Sequence, residues 1–214
     1  MKASFWHERW RDNDIGFHLP KANPMLVAHL PQLQLEPKQR VLVPLCGKTL
    51  DIAYLLQQGL HVVGVELNES AVQQLFAALT IEPSVSQQAT LIHYQAPGLD
   101  IFVGDIFHLN KDQLGPVHAI YDRAALVALP YFMRMEYSQH LRRITNTAKQ
   151  LLLCFEYEQE EMPGPPFSIN DLEIRQHYGH HYSLQCLQSQ EVQGGLKGIC
   201  AAVEKVWLLQ AEPK

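Results

Sequence analysis

Acidic residues that directly follow apolar runs carry the clearest chemical signal in this sequence. Glu66 ends the run Val62–Val65 and lies nineteen residues after Gly47, the glycine of the preceding turn. Nucleotide-binding folds place an acid at this spacing to accept hydrogen bonds from ribose hydroxyls. We therefore predict a ribose-binding carboxylate at Glu66. The alternative is a buried strand followed by an incidental acid.

The turn before this strand lacks the glycines that a diphosphate requires. It reads Pro-Leu-Cys-Gly-Lys-Thr over residues 44–49, with Gly47 as its one glycine and Leu45 as a bulky neighbour. Dinucleotide binders use three glycines so that the backbone and a helix N-terminus can approach a pyrophosphate. The turn therefore favours a cofactor that has ribose and adenine but no phosphate, such as S-adenosylmethionine.

Two further strand ends carry candidate ligand-binding residues. Asp105 and Ile106 follow one predicted strand, where an acid can face an adenine and an apolar side chain can pack on it. Asp122 and Arg123 follow the next predicted strand. In open α/β sheets, ligands bind outside the carboxyl ends of the strands, so we expect these residues to share a crevice with Glu66. The alternatives are a plain loop for the first pair and a structural ion pair for the second.

The elements that must position these residues alternate between strands and helices, as in an α/β sheet. Apolar runs predict strands at 41–43, 62–65, 90–95, 99–103, 117–121, 150–157, 182–192 and 199–209. Helical spacing predicts helices at 50–56, from the N-cap Asn68 to Pro83, at 133–148 and at 168–178. The last two strands, joined by Gly194 and Gly195, are expected to form an antiparallel hairpin.

Residues 1–39 precede the first strand and are rich in aromatic side chains. Phe5, Trp6 and Trp10 recur at near-helical spacing and predict an amphipathic helix, and a second short helix follows. Core packing is the alternative role for the tryptophans. Because this extension lacks a core of its own, it must lie across the sheet. We predict that it forms a lid within a single domain of residues 1–214.

Composition excludes several classes of protein. The chain has 214 residues and a net charge of −5, which argues against a nucleic-acid surface. The polar N-terminus argues against a signal peptide, and no apolar run reaches membrane-spanning length. Four scattered cysteines show no zinc spacing, and His177, His180 and His181 are expected to be solvated. We therefore expect a cytoplasmic protein with no metal and no membrane or nucleic-acid partner.

Taken together, the motifs resemble one enzyme family over nearly the whole chain. They are FWHERW and IGFH near the N-terminus, VLVPLCGKTLD, VVGVELNESAV, GDIF, YDRAALVALP, and EYEQ with PGPPFS. This set is similar to that of the bacterial-type thiopurine S-methyltransferase family, which shares the unusual PLCGK turn. The resemblance implies the class I methyltransferase (Rossmann-like) α/β fold. That fold has a mostly parallel seven-stranded sheet with helices on both faces, a final hairpin that inserts one antiparallel strand, and here an N-terminal helical lid.

The resemblance implies a set of residues that bind S-adenosylmethionine. They are Trp10 and Leu45 at the methionine portion, Gly47 in the turn, Glu66 at the ribose, Asp105 and Ile106 at the adenine, and Arg123 where the cofactor and acceptor regions join.

The acceptor side is implied in the same way. Its implied walls are Phe17, His18, Pro165 and Phe167. The catalytic candidates are Arg123, which can stabilise an anionic acceptor, and His18 or Asp14 as a base if one is used. An aromatic thiol ionises below the ordinary cysteine pKa of about 8.5, so a strong base is not required.

The implied activity is S-methylation of small aromatic or heterocyclic thiols by S-adenosylmethionine, with selenium or tellurium compounds as further acceptors. We expect a monomer. The alternatives are an NAD-dependent oxidoreductase on a Rossmann-like fold and a non-catalytic nucleotide-binding module. A dehydrogenase would be expected to have the missing glycine-rich turn.

Overall fold

The computed structural model describes residues 3–211, so the first two and last three residues of the predicted domain 1–214 lie outside the described residues. Over that range the chain builds one nine-stranded sheet. The strands are β1 (Arg40–Pro44), β2 (His61–Glu66), β3 (Ser84–Gln88), β4 (Leu91–Ala96), β5 (Leu99–Val103), β6 (Ala119–Arg123), β7 (Lys149–Glu156), β8 (Tyr182–Glu191) and β9 (Val203–Ala211).

Helices cover both faces of the sheet, as the fold class predicts. They are α1 (Ala3–Arg11), α2 (Pro24–His29), α3 (Asp51–Gln57), α4 (Glu69–Leu79), α5 (Lys111–Leu114), α6 (Tyr131–Thr145) and α7 (Asp171–Tyr178). Apolar side chains of α2, α3 and α4 pack on one face, and those of α5, α6 and α7 pack on the other. Each of these six helices therefore buries apolar side chains against the sheet.

The strand order is β3-β4-β5-β2-β1-β6-β7-β9-β8. The five strands from β5 to β7 in this order are mutually parallel, so their carboxyl ends meet at one edge. The last strand, β9, inserts antiparallel between β7 and β8, as expected for the final hairpin. This arrangement is the α/β class that the sequence predicts.

The predicted count of seven strands is wrong because β3 and β4 extend the sheet beyond β5. The strand at β4 is expected from its apolar pattern, whereas β3 is not. It reads Ser-Val-Ser-Gln-Gln, and four of its five residues are exposed. An edge strand with no buried face needs no apolar alternation, so the sequence pattern gives no signal for it.

Several predicted boundaries also differ from the structure. The predicted strand 117–121 lies instead at Ala119–Arg123, so Asp122 and Arg123 are its last residues. The strand predicted at 182–192 ends one residue earlier, at Glu191, and the strand predicted at 199–209 begins only at Val203. Residues 192–202 between them form a connection with one isolated bridge. The helix predicted to reach Pro83 ends at Leu79, where Thr80 adopts a left-handed backbone.

Within residues 3–211, no helix is both long enough and apolar enough to cross a lipid bilayer.

Candidate active site

The turn after β1 is closed over by the N-terminal helix. Leu45 and Gly47 both have positive φ, of 46° and 52°. A Cβ atom on Gly47 would lie 3.0 Å from Cζ2 of Trp10, a residue of α1 that is 7% exposed. The glycine is therefore needed both for its backbone conformation and for the close approach of the indole ring.

Glu66 joins the end of β2 to this turn. Its Oε2 accepts a hydrogen bond from the Gly47 backbone N–H at 2.7 Å, and Oε1 accepts one from the Asn68 N–H at 2.9 Å. Burial raises the pKa of Glu66, and these backbone donors act in the opposite direction. The sequence-predicted ribose ligand and the turn glycine are thus in direct contact.

The helix that follows the turn has no free N-terminus for a diphosphate. Its first residue, Asp51, is 1% exposed and accepts hydrogen bonds from the Asn23 N–H at 2.6 Å and the Tyr121 hydroxyl at 3.0 Å. A dinucleotide fold uses this helix end to bind pyrophosphate. A buried carboxylate there repels an anion, so the site fits a cofactor with a ribose and no phosphate.

Asp105 and Ile106 lie at the carboxyl end of β5, where the sequence predicts an adenine contact. Ile106 is 3% exposed, whereas the Asp105 side chain is exposed and caps a short 3-10 turn. One of its oxygens, Oδ1, accepts a hydrogen bond from the Phe107 N–H at 3.0 Å. This carboxylate is fixed by its local backbone while part of it stays accessible.

Asp122 and Arg123 are the last two residues of β6. Their side chains lie on opposite faces of the sheet, because the side chains of consecutive strand residues point to alternate faces. Asp122 is fully buried and accepts hydrogen bonds from the Tyr137 hydroxyl at 2.7 Å and the Leu126 N–H at 3.1 Å. Arg123 instead donates from Nη1 to the Phe17 carbonyl at 2.6 Å. In the described part of the chain they form no ion pair with each other, so that alternative is wrong.

The segment after α1 brings two predicted acceptor-site residues next to Arg123. The Phe17 ring packs edge-on against Trp10, with ring centroids 5.7 Å apart. His18 follows it, and burial together with the nearby Lys48 and Arg123 cations lowers the pKa of its imidazole. This histidine is therefore expected to be neutral at neutral pH.

Asp14, the other candidate base, has a different environment. Its carboxylate pairs with the Arg9 guanidinium, and its side chain is 63% exposed. Its partner is thus a cation of the N-terminal segment. Within residues 3–211, no hydrogen bond joins Asp14 to Arg123 or His18.

The proline-rich loop is anchored by contacts on several sides. The Phe167 N–H donates to the Val127 carbonyl at 2.7 Å, and the Lys197 ammonium donates to the Pro165 carbonyl at 2.8 Å. The Arg134 guanidinium lies 5.6 Å from the centroid of the Phe167 ring. The loop is thus tied to the segment after β6, to α6 and to the connection before β9.

Sequence reasoning missed one charged residue at this end of the sheet, Glu204 of β9. It lies opposite Phe155 in the β7–β9 register and interacts electrostatically with Arg123. Eighty residues of chain separate it from that arginine. No short sequence motif in the final strand indicates which residues of other strands it will lie beside. Only the pairing register reveals it.

The fold and this strand-end site define a class of protein, the class I S-adenosylmethionine-dependent methyltransferases. An Anabaena variabilis methyltransferase of that kind has a TM-score of 0.64 at 13% identity, covering 98% of this chain and 95% of its own. The Burkholderia thailandensis 1,6-didemethyltoxoflavin-N1-methyltransferase, whose structure holds S-adenosylhomocysteine, has a TM-score of 0.63 at 16% identity, covering 97% and 87%. At these identities the likeness establishes the fold.

The particular family follows from closer relatives. The family model for thiopurine S-methyltransferase matches residues 1–212. A thiopurine S-methyltransferase of Xanthobacter autotrophicus is 54% identical over 211 residues, covering 98% of this chain and 99% of the relative. One of Teredinibacter turnerae is 54% identical over 209 residues, covering 98% and 97%. The chain belongs to the thiopurine S-methyltransferase family, as the sequence motifs predict.

Proposed function

We propose that this protein transfers the methyl group of S-adenosylmethionine to the sulfur of small aromatic or heterocyclic thiols. The observation that carries the proposal is the near full-length identity of 54% to proteins named for thiopurine S-methylation. The buried Asp51 at the N-terminus of α3 argues against the dinucleotide of a dehydrogenase.

The cofactor is S-adenosylmethionine, which when bound supplies an electrophilic methyl group on a sulfonium. We propose that the Glu66 carboxylate accepts hydrogen bonds from the ribose hydroxyls. Each of its oxygens already accepts one backbone N–H and has a further lone pair for this purpose. The other proposed contacts are Trp10 and Leu45 at the methionine portion, Gly47 in the turn, Asp105 and Ile106 at the adenine, and Arg123 at the junction.

On the acceptor side we propose that Phe17, His18, Pro165 and Phe167 form the walls. Arg123 supplies the positive charge that stabilises a thiolate. The neutral His18 can accept a proton, and we rank it ahead of Asp14, whose carboxylate is engaged by Arg9. Aromatic walls exclude water, which strengthens the attraction between a thiolate and a cation. Selenium and tellurium compounds are proposed as further acceptors.

We also propose that residues 1–39 act as a lid, and that the protein is a cytoplasmic monomer. Three contacts support the lid: Trp10 on Gly47, Phe17 on Arg123, and the His7 ring 3.2 Å from the Asn68 amide. Each joins the extension to a strand end that carries a proposed ligand contact.

The test is calorimetric titration with S-adenosylhomocysteine, with NAD as the control ligand. Wild-type protein should bind S-adenosylhomocysteine and should not bind NAD. The Glu66→Gln variant should bind at least tenfold more weakly, since a hydrogen bond to a charged group contributes about 1.5–3 kcal/mol. Glu82→Gln, at an exposed residue after α4, is the matched control and should bind as wild type does. Tight NAD binding without a response to S-adenosylhomocysteine would overturn the proposal.

A further inference from the structure

Glu204 carries an unpartnered carboxylate at the acceptor end of the sheet. Among residues 3–211, no hydrogen bond or ion pair reaches its side chain, although the residue is only partly exposed. Its neighbour Lys205 provides a contrast, because that ammonium pairs with both Glu156 and Asp171. Burial raises the pKa of Glu204, while the nearby Arg123 cation lowers it. A partly desolvated carboxylate without a partner is suited to receive a donor from a ligand.

Glu204 and Arg123 lie on the same face of the sheet. Arg123 pairs with Leu153 in the β6–β7 register, and Leu153 pairs with Val206 in the β7–β9 register. Glu204 is two residues before Val206, and strand residues two apart share a face. Strands about 4.8 Å apart with a rise of about 3.4 Å per residue put the two Cα atoms about 12 Å apart.

Arg123 and Glu204 therefore lie on the same face of the sheet, two strands apart. Within residues 3–211 no salt bridge joins the two groups, and the guanidinium donates one hydrogen bond to the Phe17 carbonyl. A ligand that contacts both side chains meets a positive group on one side and an acceptor-only group on the other. The complementary ligand has a sulfur that can become anionic and, on the same ring, an N–H donor.

We propose that Glu204 is a catalytic residue for acceptors of one class, the cyclic thioamides, in which a ring N–H adjoins the C=S carbon. This inference rests on the proposed methyltransferase function and names the acceptor that the site favours. The N–H donates to the Glu204 carboxylate, and the sulfur lies on the Arg123 side.

The proton balance of the reaction explains why such an acceptor needs a base. As the sulfur forms its bond to the methyl carbon, the electron pair of the ring N–H bond moves into the ring and the proton passes to Glu204. The pair of the broken sulfonium carbon–sulfur bond stays on the departing S-adenosylhomocysteine. The products are a neutral methyl thioether, neutral S-adenosylhomocysteine and a protonated Glu204, which then releases its proton to water.

The test compares two acceptors of similar size, pyridine-2-thione, which carries a ring N–H, and thiophenol, which does not. Positioned proton transfer contributes about 10²–10⁴-fold, so Glu204→Gln should lower kcat for the thione about a hundredfold. Its KM should change less than about threefold, because the Gln amide oxygen still accepts the N–H hydrogen bond. Turnover of thiophenol should stay within about threefold of wild type. Glu204→Asp should recover part of the lost rate, and Glu191→Gln on the exposed part of β8 is the matched control.

A second readout does not depend on turnover. Binding of pyridine-2-thione to protein saturated with S-adenosylhomocysteine should be unchanged in Glu204→Gln and about tenfold weaker in Glu204→Leu. Equal losses for both acceptors would assign Glu204 a structural role and overturn the inference, as would no loss for either. If wild-type protein binds S-adenosylhomocysteine but methylates neither acceptor, the proposed function itself fails and the inference fails with it.

Discussion

Two buried carboxylates near the carboxyl ends of parallel strands, Glu66 of β2 and Asp122 of β6, show how environment separates their roles. Glu66 accepts two backbone N–H groups and faces the edge where the strands end. Asp122 is turned into the opposite core, where its partners are the Tyr137 hydroxyl, the Leu126 N–H and, at 3.4 Å, the Gln150 amide. Glu66 thus lies at the edge where ligands bind in open α/β sheets, whereas Asp122 is bonded within the core, so only Glu66 is a proposed ligand contact.

Asp122 gives a prediction about the pH dependence of stability. Burial raises its pKa from 3.8 to about 6 in the folded protein. Between these values the folded chain holds a proton that the unfolded chain has released. The contribution of Asp122 to the free energy of unfolding is therefore fully present below about pH 4 and is lost as the pH rises through about 6.

The Asp122→Asn variant removes this titration. We expect its stability relative to wild type to increase from pH 4 to pH 7 by up to about 3 kcal/mol, measured by urea unfolding at each pH. The exposed Asp112→Asn is the control and should run parallel to wild type. Parallel profiles for Asp122→Asn and wild type would contradict the assignment.

At the scale of elements, α6 and α7 are joined by a buried ion pair that also supports the proline-rich loop. Arg134 donates from Nη2 to Glu173 at 3.0 Å and from Nη1 to the Leu129 carbonyl at 2.8 Å. His177 contacts the same Glu173 carboxylate at 3.0 Å. Because the guanidinium also lies against the Phe167 ring, this pair links the packing of two helices to one wall of the proposed acceptor site.

Removal of one partner of a buried pair leaves an uncompensated charge. We therefore expect Arg134→Met to lower the free energy of unfolding by about 3 kcal/mol, as measured by urea titration. The control, Arg175→Met at an exposed position of α7, should change it by less than about 0.5 kcal/mol. A loss of the same size in both variants would show that the effect is not specific to the buried pair.

At the scale of the whole molecule, ligand binding should stabilise the entire fold, because the proposed cofactor contacts come from α1 and from the ends of β1, β2, β5 and β6. S-Adenosylhomocysteine at a hundredfold excess over its Kd should add about 2.7 kcal/mol. For a chain of this length that corresponds to a rise in Tm of about 5–10 °C. Calorimetric scans with and without ligand check this, and an equal rise with NAD would contradict the specificity.

Local patterns were enough to predict most of the elements, and the contact between Glu66 and Gly47 lies within one of these predicted units. The run that ends at Glu66 and the single Gly47 are close in sequence, and the strand–turn–helix–strand unit between them has a small set of allowed geometries. The short connection makes the Glu66–Gly47 contact nearly unavoidable. The edge strand β3 was not predicted because its residues are mostly polar and exposed. A strand with no buried face has no alternation of apolar and polar residues by which it could be recognised.

The sequence by itself determined the α/β class, the phosphate-free cofactor turn, and the family. These properties reside in motifs of a few adjacent residues, whose conformations depend mainly on local sterics and hydrogen bonds. The tertiary structure decided on which face of the sheet each strand-end side chain lies, and it placed Asp122 and Arg123 on opposite faces. It also brought Glu204 to the same end of the sheet as Arg123. Such neighbours are set by strand register and insertion order, which depend on the packing of the complete sheet and not on any short segment.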